Sequence, residues 1–573
     1  MAPQTATEDG RLIAFLDALW EERVALSPEY QTRLGRKTNY GQWDDRSQNA
    51  QTMRAKILEE HIHKVRSNFD RDNLSTEGQR NYDLFLYDLE RRLGLDRFDN
   101  RDFRLSQLRG AHTSIPVFLA NYHKIESSAD AEAYLQRISG VPRVLEEEGI
   151  RLERQASEGF TLPAFSYPLI AEAARNAAPG EPIKRDFQRK LTRVDLSADE
   201  RQSLITQLDQ AITEVYKPAY EAFASRVDAL AQSSATHGNF GIKRFDRDGS
   251  YYATLLSNYT TTDLSANEIH DIGLAEVSRI HTEMLAITET VGFAGSLQEF
   301  FVFMRTSDRF FLPDSDEGRK TYLEMARTFI TDFSPKLDEL FTLRPKASVE
   351  VRRVEPFRER SAGKAFYAQP DAEGTRPGYF YANLGRMGDM PTYQLEALVY
   401  HEAIPGHHMQ RALQLEQKGL PKFRRFGNAT AYTEGWGLYS ERLPKEIGFY
   451  DDPYSDFGRL AMELWRAARL VVDTGLHAKG WEMDEAISYL TENTPNPRGD
   501  AVKAIERYIV RPGQATAYTV GMLKLLELRE QARAELGDAF DIRAFHDRIL
   551  RAGPLPLAYL EQDIDRWIAD QKD

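Results

Sequence analysis

The 573-residue chain contains no cysteine. Disulfides, thiolate metal ligands and a cysteine nucleophile are therefore excluded, and any metal site must be built from His, Asp and Glu. The compartment stays open, because periplasmic as well as cytoplasmic proteins can lack cysteine. Positive charge is short: 74 Lys and Arg face 88 Asp and Glu, for a net charge of −14. That argues against nucleic acid or an anionic membrane as a partner, since both reward basic patches. No apolar run is long enough for a membrane span. Residues 1–9 lack a basic n-region and an apolar h-region, so no signal peptide is expected. Such a start fits a cytoplasmic chain, or a periplasmic or secreted one from which a signal was removed. Internal repeats and low-complexity segments are missing as well.

What is present suffices for packed cores: 41% of residues are hydrophobic and 11% aromatic, which excludes general disorder. The length exceeds one ordinary core. Helical periodicity dominates. Leu12, Phe15, Leu16, Leu19 and Trp20 form one stripe, and residues 52–69, 76–93, 130–157 and 197–230 also read as helices. Ser197 with Glu200, Ser265 with Glu268 and Ser296 with Glu299 have capping-box spacing. His61 and His63 lie two apart on a helix and read as solvated residues. His270 and His546 read as structural. Residues 233–250 change to polar, glycine-bearing sequence, which places a boundary between an N-terminal helical lobe (1–235) and a catalytic helical lobe (236–573). Short strand patterns occur at 348–354, 364–369 and 378–383. The expected fold class is all-α, mostly helical, elongated and two-lobed, with a small β-sheet next to a zinc-binding helix.

Chemistry concentrates in two words. The first is His401-Glu402-Ala403-Ile404-Pro405-Gly406-His407-His408, and the second runs from Glu434 to Glu441. A zinc hydrolase needs neutral imidazoles, a carboxylate ligand and a separate carboxylate acting as general base. A regular zinc helix places two histidines at i and i+4, about 6 Å apart along the axis. Here i+4 is Pro405. In an unbroken helix His407 would sit about 9 Å up the axis and point away from His401. Pro405 removes an N–H and clashes one turn back, at the carbonyl of His401. Gly406 can adopt positive φ. The pair predicts a bulge that swings His407 toward His401, with His408 as the competing choice. His401, His407 and Glu434 are the expected Zn2+ ligands, and Glu402 the general base. Glu441 and His408 are expected to support the ligands from behind. Gly435 and Gly437 would allow close helix contact.

These words resemble the bacterial domain-of-unknown-function 885 family. Further matches are the segments from Arg469 to Trp481, from Pro512 to Tyr518 and from Thr260 to Ala266, so the likeness spans nearly the whole chain. The resemblance implies a mostly helical fold similar to gluzincin peptidases, with a deep cleft. It also implies peptidase-like hydrolysis without naming a substrate. Many relatives are exported lipoproteins, and this chain has no lipobox cysteine.

Substrate-side candidates are Tyr381 and Asn383, on a stretch readable as an edge strand that pairs with an extended peptide. Tyr518 and His477 could donate hydrogen bonds to an oxyanion, and Arg511 could read a carboxylate. The expected partner is a peptide or small amide substrate. The rivals are a zinc amidase acting on a non-peptide molecule and a metal-free binding protein on a peptidase fold.

Overall fold

Helix starts follow the short polar side chains. Ser197, Ser265 and Ser296 each accept the backbone N–H of the glutamate three residues on, which in turn accepts the N–H of its serine. Each exchange satisfies two donors that a helix start would leave orphaned. The structure is a computed structural model, and it describes residues 7–238, 240–356, 359, 362–371 and 376–572. Residues 1–6, read above for a targeting signal, lie outside these. The chain divides into two compact units, Met1–Gly238 with Pro421–Phe423, and Asn239–Leu420 with Arg424–Asp573.

The first unit is helical. Its longer helices are Glu8–Ala25, Gln48–Asn68, Thr76–Asp96 and Ser128–Ser157. The helix predicted over 197–230 is built as Ala198–Ala211 and Lys217–Ser234, joined by a π-turn at Ile212–Tyr216. Leu12, Leu16 and Leu19 are buried, as their spacing requires. His61 is a correction. It is 1% exposed, and its Nε2 lies 3.0 Å from Glu22 Oε2. A carboxylate 39 residues away in sequence partners it, which helical spacing cannot reveal.

The second unit is mostly helical with one small sheet of β1 (Val349–Arg353), β2 (Ala365–Ala368) and β3 (Gly378–Ala382). The strand order is β1-β3-β2, with β1 parallel and β2 antiparallel to β3. β3 is thus the central strand and not the edge strand expected for peptide pairing, because both its ladders are taken. Phe380 and Ala382 are fully buried. Tyr381 stacks on Phe366 at 5.0 Å on the other face.

Six helices matter for the site: α1 (Leu395–Glu402), α2 (His407–Glu416), α3 (Thr430–Ser440), α4 (Pro453–Thr474), α5 (Arg498–Ile509) and α6 (Ala517–Leu536). α3 and α6 cross at glycine. A Cβ on Gly435 would lie 2.5 Å from the Gly521 carbonyl carbon, and one on Gly521 would lie 1.9 Å from the Ala431 oxygen. Any side chain there would force the helices apart and shift what they carry.

Candidate metal centre

α1 stops at Glu402 and α2 begins at His407, so the helix is broken where Pro405 predicts. The Ile404–Pro405 peptide is cis. Gly406 corrects the expectation of positive φ: its φ is −80°. Glycine is required for a different reason. A Cβ at Gly406 would meet the His401 carbonyl oxygen at 2.0 Å and that of Tyr400 at 2.3 Å. The break folds back on the end of α1 so tightly that only a hydrogen fits. Trp436 of α3 holds it, donating from Nε1 to the Pro405 carbonyl at 3.0 Å.

The result brings the His401 and His407 rings to 4.6 Å, centroid to centroid. His407 Nε2 lies 3.5 Å from Glu434 Oε2. One donor atom from each of His401, His407 and Glu434 lies within 4.8 Å of the others. Gly437, one turn beyond Glu434, leaves room for the rings: a Cβ there would stand 2.7 Å from His401 Cε1 and 3.0 Å from its Nε2. The pocket is nearly closed, with the His407 and Glu434 side chains only 11% and 23% exposed.

Support comes from behind. His401 Nδ1 lies 2.7 Å from Glu441 Oε1, and Arg466 Nη2 lies 3.6 Å from the same oxygen. With Nδ1–H donated to Glu441, His401 Nε2 keeps its lone pair for the pocket. Burial, with the neighbouring His407, Arg466 and Arg469 charges, keeps the His401 imidazole well below its ordinary pKa and hence neutral. Burial lowers His407 too, but its hydrogen bond to Glu434 and the Glu434 and Glu402 charges outweigh that and raise it. Burial pushes Glu402 up to about 7, with Glu434 adding and His407 and Arg466 opposing. Glu402 Oε2 and His407 Nδ1 are buried without a hydrogen-bond partner.

The remaining predicted residues divide. His408 does not touch the cluster: Tyr367 Oη donates to its Nδ1 at 2.9 Å, and its Nε2 donates to the Ala347 carbonyl at 2.9 Å. It ties β2 to the segment before β1 and supports no ligand. His477 accepts from the Ile242 N–H at 3.1 Å and donates to the Tyr508 carbonyl at 3.0 Å. Both its nitrogens are spent on backbone, so it has no hydrogen to offer an oxyanion. Asn383 is likewise spent, with Nδ2 donating to the carbonyls of Glu359, Ala362 and Gly363. Tyr381 stays in the stacked face of the sheet. Arg511 is half-buried at the turn after α5, where its N–H donates to the Tyr508 carbonyl. Tyr518 does lie beside the site, one turn before Gly521 on α6 and over the Arg469 guanidinium at 4.8 Å.

Sequence reasoning missed the arginines. Arg466 and Arg469, three apart on α4, and Arg507 on α5 all act on the cluster. The available signal was arginine at i, i+3 in the stretch of α4 from Leu464 to Val472, whose other residues are uncharged, where a charge must have a reason to be buried.

No curated protein matches the chain. It is similar to two solved structures. One is described as "the putative lipoprotein from Colwellia psychrerythraea", with 30% identity, a TM-score of 0.93 and coverage of 99% of this chain and 100% of that one. The other is described as "a putative lipoprotein of unknown function from Shewanella oneidensis", with 18% identity, a TM-score of 0.71 and coverage of 96% and 99%. The second likeness speaks to the fold alone. Residues 28–564 match the family described as "Bacterial protein of unknown function (DUF885)", and the chain belongs to that family.

Proposed function

We propose that His401, His407 and Glu434 hold a zinc ion and that the protein hydrolyses a peptide or related amide bond, on a gluzincin-like arrangement. One observation carries this reading: two imidazoles and a carboxylate from α1, α2 and α3 converge within 4.8 Å. The donor set fits. Two nitrogens and one oxygen, with a further position left for water or substrate, are the usual complement of a catalytic zinc site. The Glu441 carboxylate behind His401 matches the outer partner that orients such ligands. The space that Gly437 keeps open is at the imidazole edge that would face the ion.

Bound there, zinc supplies Lewis-acid polarisation of a water and of the scissile carbonyl. The rest is the work of the chain. Glu402, next in sequence to His401, has an oxygen with no partner, and its carboxylate takes the proton that the attacking water gives up. It then passes that proton to the leaving amine. Arg466 and Glu441 hold the His401 ring so that its Nε2 faces inward. Near-closure of the pocket excludes bulk water, which strengthens each of these electrostatic contacts. The Tyr518 hydroxyl is a donor near the site for the oxyanion.

The test has two parts. Metal analysis of the purified chain should find about one zinc per chain by the donor count. A peptide-library digest read by mass spectrometry should show cleavage, and Glu402→Gln should lower turnover by about 10²–10⁴ while keeping the metal. Absence of bound zinc, and of thermal stabilisation by added zinc, would support the scaffold reading. Near-normal turnover in Glu402→Gln would remove Glu402 from its role.

A further inference from the structure

Arg469 is 8% exposed, and its Nε is buried without a hydrogen-bond partner. Among the described residues no carboxylate makes a salt bridge with it. Its guanidinium instead packs against the rings of Tyr518, at 4.8 Å, and Tyr508, at 5.9 Å. Arg507 is half-buried: its Nη2 donates to the Gln514 amide oxygen at 2.8 Å, and among the described residues no carboxylate makes a salt bridge with it. Other buried arginines nearby are paired: Arg459 reaches Asp456 at 2.8 Å and Glu463 at 3.3 Å. Leaving a guanidinium buried without a carboxylate is costly, so Arg469 beside a candidate metal centre needs an explanation.

The position is fixed by the helices. Arg469 stands one turn beyond Arg466, which reaches the Glu441 that holds His401. Tyr518 stands one turn before Gly521, which touches Gly435, the neighbour of Glu434. Tyr518 lies against the Arg469 guanidinium, and the Arg469 and Arg507 charges both reach Glu434. They are not its counter-ions in the sense of a contact, because the ion pair recorded for Glu434 is with His407. They also add to the lowering of the Glu434 carboxyl that His407 begins against burial. On the same helix as Arg469, Glu463 is spent on Arg279, Arg442 and Arg459.

We propose that Arg469 and Arg507, backed by Tyr518, form a subsite for a substrate carboxylate next to the scissile bond. A planar guanidinium suits two-point recognition of a carboxylate. The carboxylate has two sources, the C-terminus of a peptide or an acidic side chain. The first makes the enzyme one that trims C-terminal residues, and the second makes it selective for Asp or Glu. The assignment rests on the zinc-hydrolase reading for its meaning, though its binding test does not.

The probes are N-acetyl-Ala-Ala-Ala as free acid, the same peptide as carboxamide, and N-acetyl-Ala-Glu-Ala carboxamide. Each is titrated calorimetrically into the full-length Glu402→Gln protein, with zinc and after chelation. A carboxylate-bearing probe should bind about tenfold or more tighter than the uncharged amide, the equivalent of one charge-assisted hydrogen bond. The acid or the Glu peptide winning identifies the source. The preference should weaken but survive chelation, and should be lost in Arg469→Gln and reduced in Arg507→Gln. Equal affinity for all three probes overturns the proposal without any variant. So does a preference that vanishes on chelation, because the carboxylate would then sit on the ion. Failure of the zinc reading looks different: no metal is retained, yet acid preference is still readable in the chelated protein.

Discussion

Helix α3 has two buried histidine pockets on opposite faces, and they contrast. On one face Trp436 and Tyr439 pack around His546, with ring centroids at 5.9 and 5.6 Å. His546 Nδ1 donates to the Leu340 carbonyl at 2.9 Å, and Tyr439 Oη lies 2.8 Å from its Nε2. Arg529 completes the set, donating to Tyr439 Oη at 3.2 Å and bridging to Glu446 at 2.6 Å. Every polar atom of the imidazole is used, and burial holds it down to about 3, neutral. On the other face Glu434, Gly437 and Glu441 meet His401 and His407. That pocket is also largely buried, yet Glu402 Oε2, His407 Nδ1 and Glu441 Oε2 have no partner. Folding normally avoids this, since an unmade buried hydrogen bond costs about 1–3 kcal/mol. Burial alone therefore does not separate the two pockets, and neither does a free nitrogen by itself, since buried His112 has both ring nitrogens unpartnered; what sets the His401 pocket apart is that its unpartnered atoms sit among converging ligand-type groups. The same criterion sorts His408 and His477 with His546.

The largest test of that contrast is metal. His407→Ala and Glu434→Ala should each abolish zinc binding at stoichiometric concentration, whereas His408→Ala and His477→Ala should still bind one zinc per chain. Glu441→Ala should fall between, with metal affinity reduced by about 10–100-fold. Competition with a chromophoric chelator gives all five values. If His408→Ala empties the site and His407→Ala does not, the two pockets have been sorted wrongly.

A second test uses acid. His477 and His546 are both held down to about 3 by burial, against an ordinary value of 6.5. Below 6.5 the unfolded chain takes up protons there that the folded chain refuses. Their contribution to stability is therefore full above about 6.5 and is lost progressively as pH falls toward 3. Burial raises Glu402 and Asp473 to about 7 each, which acts in the opposite sense over the same window. The His546 contribution is therefore read by difference: urea midpoints of the chelated protein, followed by circular dichroism, should lose less from pH 7 to pH 5 in His546→Gln than in the parent. Equal pH dependence in the two would mean that this imidazole is not buried as a neutral partner.

Much of this was legible before the structure, and the reasons are local. The capping boxes, the three short strands and the break at Pro405 each depend on residues within a few positions of one another. The meeting of His401 with His407 follows from that break, and Glu434 was reachable because its motif is dense. What was not legible depends on distant partners. His61 is buried because of Glu22, and His477 is spent on Ile242 and Tyr508. β3 is central because β1 joins it from 29 residues upstream in register. Gly406 was assigned the wrong virtue: backbone freedom was read where the fold needs backbone contact. The arginines of α4 and α5 were passed over because spacing reveals which face a residue occupies, not whether its charge finds a partner.

The smallest effect is the sharpest discriminator. Tyr367 on β2 donates to His408 Nδ1, and His408 Nε2 reaches Ala347, so this imidazole joins parts of the frame around the sheet. Tyr367→Phe removes one hydroxyl and leaves one buried acceptor unmatched. The expected cost is about 1 kcal/mol of stability, seen as a lower urea midpoint with an unchanged slope. Zinc affinity should not change, because neither Tyr367 nor His408 touches His401, His407 or Glu434. Should the variant instead lose metal to the degree expected of Glu441→Ala while its midpoint holds, His408 would have to support His407 through its backbone neighbour. The distinction between spent and unspent histidines would then fail at the one place where the two kinds adjoin in sequence.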